Sequence, residues 1–154
     1  MDARNMWWQW TLGPVLEQVM LGKTRFLALY LLSGLGSSVL GFLLAPGQAS
    51  VGASGAIFGL VTAFFVISHR LRRDTAGANQ LMLCFLMWLP ASAQFTSWQG
   101  HLGGLLAGGA ITLAYAYTPP KQRTALHACA TAGMLLLLIA LVAVKAAQLT
   151  GPPV

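Results

Sequence analysis

Three polar residues stand out in a mostly apolar chain: Asn5, Ser54 and His101. A serine becomes a nucleophile when a base takes its proton and fixed donors receive the charge that develops on the substrate oxygen. Ser54 lies in GASGAIFG (residues 52–59), at the opening of an apolar run. In the first turn of a helix the backbone N–H groups are unpaired, and the positive end of the helix dipole favours negative charge. His101 heads HLGGLLAG (residues 101–108) and supplies an imidazole as base, while Asn5 offers an amide N–H to an oxyanion. Position 56 is alanine, so the G-x-S-x-G elbow of the soluble α/β-hydrolases is not present. No metal or other cofactor is implied, since the chain has no H-E-x-x-H and only three carboxylates.

Each residue has a plainer explanation when taken alone. Small-xxx-small patterns are the usual helix-packing device in membranes, and a serine among glycines fits one. A histidine at the end of a span can simply hydrogen-bond a backbone carbonyl. His69, beside RLRRD, reads as an interfacial residue, His127 as structural, and Glu17 as a polar staple within the bundle.

The elements that position these residues are membrane helices. Hydrophobic residues make up 56% of the 154-residue chain, charged residues 8%, and the mean hydropathy is +0.69. Soluble domains carry roughly a quarter charged residues. Six apolar segments can be marked, at about residues 5–21, 26–45, 53–68, 78–95, 101–117 and 125–148, the fourth interrupted at Pro90. The chain is therefore read as an all-α membrane protein, a polytopic helical bundle of six transmembrane segments in contact with the lipid bilayer. Cys84 and Cys129 fall within apolar runs and read as buried apolar residues. MDARNMWWQW has no signal-peptide pattern, and Trp7, Trp8 and Trp10 suit an interfacial belt.

Charge placement gives the orientation. Nine Lys and Arg against three Asp and Glu would suit a nucleic-acid partner, but seven of the nine fall in alternate loops. Lys23 and Arg25, then Arg70, Arg72 and Arg73, then Lys121 and Arg123 mark three cytoplasmic loops, which excludes the nucleic-acid reading. Arg4 and Lys145 are the exceptions. Segments one, three and five then run inward from the outer face. Asn5, Ser54 and His101 each begin one of them, so a topology count alone gathers all three on one side of the membrane.

The ordered patterns N…W-x-L-G-P-x-x-E, G-x-S-G-x-x-F-G and H-x-x-G-x-x-x-G resemble those of the rhomboid family of intramembrane serine proteases. Here they read Asn5 with WTLGPVLE (residues 10–17), GASGAIFG and HLGGLLAG, and LALYLLSGLG (residues 27–36) looks like the family's following helix. The resemblance implies a Ser54–His101 dyad without a third acid, and an oxyanion site made by Asn5 and the Ser54 N–H. It also implies Phe58 packed against His101, and Gly52 and Gly104 as close-packing positions. Family members carry a histidine four residues before the asparagine, where this chain has Met1, and Gly100 stands where alanine is usual. The family's first helix and the long loop after it are expected upstream of residue 1.

Residues 1–118 are thus expected to form the catalytic core. Residues 119–154 would add a cytoplasmic loop and an extra C-terminal helix. Implied partners are transmembrane protein substrates, in a bacterial plasma membrane with the site opening to the extracytoplasmic side; the oligomeric state is not implied. Two alternatives within the same fold are an inactive truncated fragment and a non-catalytic relative that only binds transmembrane segments. The latter is usually marked by loss of the serine or histidine, and both are present. A small transporter or channel subunit would place charges along a pathway inside the spans, where Glu17 alone qualifies once Lys145, which can snorkel at the outer end of the sixth segment, is set aside.

Overall fold

The computed structural model describes residues 3–47, 53–92 and 97–150, without the side chains of residues 4, 5, 19, 20 and 92. Among the described residues every regular element is helical: α1 (Ala3–Pro14), α2 (Lys23–Leu44), α3 (Ser54–Leu71), α4 (Thr75–Ser92), α5 (Trp98–Ala116) and α6 (Arg123–Thr150). Helices satisfy their own backbone polar groups, which makes them suitable for apolar surroundings. The six helices coincide with the six apolar segments, and the chain is an integral membrane protein. Among the described residues, only α2, α3 and the stretch ending in α6 (Pro120–Thr150) are long and apolar enough to cross a membrane by length and composition. In α5 the glycines at 100, 103, 104, 108 and 109, with Gln99 and His101, dilute the hydropathy. In α4 Asn79 and Gln80 do the same, and α1 is short.

After Pro14 the first helix widens into a π-helical segment, Val15–Leu21. It closes with the Gly22 N–H donating to the Glu17 carbonyl at 2.8 Å. Gly22 turns the chain at a φ of 80°, a conformation that suits a residue without a Cβ. Glu17 is half-buried there.

The centre of the bundle is a three-helix unit of α2, α3 and α5, brought together by small residues. A Cβ built on Gly55 or Gly59 would collide with Ser37 or Ser33 of α2 respectively, and one on Gly104 or Gly108 would strike the backbone of Gly55 or Gly59. Read as a ladder, these contacts pair 37 with 55 and 33 with 59, so α2 and α3 are antiparallel. They pair 55 with 104 and 59 with 108, so α3 and α5 are parallel and begin at the same end. Lipid tails are as apolar as leucine, so such helices are held by close van der Waals packing rather than by hydrophobic exclusion from water. Leu29, Ile57, Leu60 and Ile111 fill the interior beneath the glycine contacts.

The last helix lies along α2 and α5, with most of its surface turned outward; His127 and Leu138 are its buried residues. The His127 imidazole donates from Nε2 to the Tyr115 carbonyl at 3.1 Å, satisfying one of the last carbonyls of α5, which have no partner within the helix. Thr131 donates to the His127 carbonyl at 2.7 Å, and the Tyr115 hydroxyl is 2.5 Å from the Thr131 oxygen. The structural role expected of His127 is thus a tie between α5 and α6.

Two expectations are corrected. Cys84 and Cys129 are free and lie on the outer surface of the bundle, because an apolar side chain in a membrane helix need not face the protein interior. The fourth helix is not interrupted at Pro90 but runs on to Ser92. So near the helix end the ring sacrifices little of the hydrogen-bond ladder. His69 is exposed, its Nδ1 2.9 Å from the Phe65 carbonyl. Trp7 and Trp10 face outward, whereas Trp8 turns partly inward.

Candidate active site

Ser54 is the first residue of α3, where the Ile57 N–H already donates to the Ala53 carbonyl at 3.1 Å. The N–H of Ser54 is therefore among those with no carbonyl one turn back. Gly55 and Gly59 let α2 and α5 close over this end of α3, and the register fixes which residue of α5 faces the serine. That residue is His101, whose Nε2 lies 3.2 Å from the Ser54 Oγ across 47 positions of sequence.

His101 does not sit at the head of its helix as expected. The helix begins one turn earlier, at Trp98, because the Ser97 hydroxyl caps it by accepting from the Gly100 N–H at 3.3 Å. A serine just before an apolar run is a recognised start signal, and it places His101 inside the first full turn rather than at a frayed end. Its ring is 4% exposed and stacks on Phe58 at 4.5 Å between centroids and 13° between planes. Such a stack leaves the imidazole little freedom except to present its edge to the serine.

Phe58 is itself held edge-on by Phe85 of α4 at 4.9 Å, and Phe85 meets Trp8 of α1 edge-on at 5.2 Å. Sequence reasoning missed Phe85 and Trp8 as parts of this site. No motif marks them, because they reach it only through the packing of α1 and α4 beside α3. A proton held on Nδ1 would leave Nε2 as the acceptor for the serine proton. Among the described residues the buried Nδ1 has no hydrogen-bond partner.

The structure brings Ser54, Phe58, His101 and Gly104 together. Asn5 lies in the first turn of α1, but its side chain is outside the description, and Gly52 is outside the described residues. Among the described residues no group of three or more His, Cys, Asp or Glu is gathered to hold a metal ion.

A family model described as Rhomboid domain matches residues 3–119. Among curated proteins, the chain is 33% identical over 103 residues to Rhomboid protease GluP of Bacillus subtilis, a match covering 64% of this chain and 20% of that protein. It is 31% identical over 102 residues to Rhomboid-like protease 3 of Toxoplasma gondii, covering 61% and 38% respectively. It is 35% identical over 119 residues to RHOMBOID-like protein 1 of Arabidopsis thaliana, covering 70% and 29%. The matched stretch is thus less than two-fifths of each of these relatives. No solved structure matches the chain.

Proposed function

Because the chain belongs to the rhomboid family, we propose that it is an intramembrane serine endopeptidase in which Ser54 is the nucleophile and His101 the general base. The observation that carries this reading is the 3.2 Å contact between the Ser54 Oγ and the His101 Nε2, on two helices that begin at the same end of the bundle. His101 takes the serine proton as the Ser54 oxygen attacks the scissile carbonyl of a transmembrane segment. The Ser54 N–H and the Asn5 amide receive the oxyanion, each donor worth roughly 3 kcal/mol in a water-poor site. His101 then passes its proton to the leaving amine, and water, activated by the same imidazole, releases the acyl-enzyme.

The site opens on the side opposite the basic loops, which the positive-inside rule makes the extracytoplasmic face. The substrates are membrane proteins whose spans unwind locally near this face. Treating the purified protein with a fluorophosphonate should leave one covalent adduct, mapped to Ser54 by mass spectrometry, and His101→Ala should prevent it. An adduct elsewhere, or labelling indifferent to His101, would remove the basis for the dyad.

A further inference from the structure

At the opposite end of the bundle from Ser54 and His101, the last turns of α5 and the first turns of α6 are joined through Tyr117–Gln122. They leave an open groove of about 580 Å³, within the usual size range of ligand pockets, roughly 300–1,000 Å³. Leu113, Tyr117 and Thr118 line one wall, and Leu126, Cys129 and Ala130 the other. Leu126, Cys129 and Ala130 share one face of α6, next to the buried face that His127 uses to hold α5. The walls are therefore fixed by that tie while the groove between them stays apolar and open.

Charge is concentrated at the same end. The three loops there carry Lys23, Arg25, Arg70, Arg72, Arg73, Lys121 and Arg123, against the single carboxylate of Asp74. Asp74 is engaged, accepting from the Gly77 N–H at 3.1 Å. The Arg70 guanidinium lies over the Tyr117 ring, 5.3 Å from its centroid, which sets a cation at the edge of the groove. Lys121 and Arg123 are exposed on the connection between its two walls.

We propose that this groove is a binding site for an anionic phospholipid, with the acyl chain along the α5–α6 walls and the phosphate held by Arg70 with Lys121 and Arg123. Apolar walls that open toward a basic rim complement both parts of such a lipid. Basic pockets between membrane helices are where acidic headgroups are captured. A second copy of this chain would bring another basic rim against this one and is disfavoured by charge. A transmembrane substrate has no phosphate to match Arg70.

The full chain, reconstituted in phosphatidylcholine nanodiscs containing a trace of phosphatidylglycerol with a photoreactive acyl chain, tests this directly. Illumination should place adducts on residues 113–130, and unlabelled phosphatidylglycerol, but not added phosphatidylcholine or inorganic phosphate, should compete them away. Arg70→Gln should reduce that labelling about fivefold, the factor for losing one basic group at an anionic surface, with Arg70→Lys largely retaining it. Arg70 is exposed, so neither change should disturb the fold, and circular dichroism would verify this. Equal labelling by a photoreactive phosphatidylcholine, labelling insensitive to Arg70→Gln, competition by inorganic phosphate, or crosslinks to a second protomer in place of lipid would overturn the proposal.

Discussion

Ser54→Ala is expected to abolish cleavage of a transmembrane substrate, a loss of roughly four to six orders of magnitude. His101→Ala should cost about as much, and the double variant no more, because two groups acting as one unit are not additive. The stability consequence should be small. Ser54 is only half-buried and gives up one hydrogen bond of 3.2 Å, worth about 1 kcal/mol or less. That split separates the two roles a serine among glycines can have. A packing serine would affect the thermal midpoint and spare the rate, whereas a nucleophile affects the rate and spares the midpoint. Should Ser54→Ala keep measurable turnover of the reporter substrate in the same membrane, the serine belongs to the packing ladder alone.

The second large effect should come from Gly104→Val. A Cβ at residue 104 lies 2.9 Å from the Gly55 Cα and closer still to the Gly55 carbonyl, so the clash is backbone against side chain and no rotamer relieves it. Overpacking a close-packed site costs about 1–3 kcal/mol and more where neither partner can yield. The expected result is a thermal midpoint lowered by roughly 10 °C in detergent, or no folded protein recovered. Gly133→Val is the matched control, since a Cβ at 133 meets nothing within 4 Å. Equal behaviour of the two variants would mean that α3 and α5 do not depend on this contact. Because the same contact sets the register of Ser54 against His101, any Gly104→Val protein that folds should also lose activity out of proportion to its stability.

Much of this was legible in the residues. Apolar runs of span length located six helices to within a few residues, because a helix in lipid must be both continuous and apolar. Alternation of basic loops put Ser54 and His101 at one end, and the glycine ladder reaches the same result from packing alone. The start of α5 was misplaced by three residues. The apolar run begins only after His101, while the actual start is set by one hydrogen bond to Ser97. Outward placement of Cys84 and Cys129 was equally hidden, since composition reports that a residue is apolar but not whether its neighbour is lipid or protein.

By itself, the sequence determined the class of molecule, the approximate extent of the helices among the described residues and the shared end of the bundle at which Ser54 and His101 lie. These follow from local composition and from charge at the helix ends. Only the tertiary structure decided that the Ser54 oxygen and the His101 nitrogen meet. That contact depends on the relative height of two helices, and the height is fixed by which glycine of α5 rests on which glycine of α3. The same packing carried Phe85 against the Phe58 ring and Trp8 against Phe85, from two other helices, a convergence for which no local pattern in the chain gives notice.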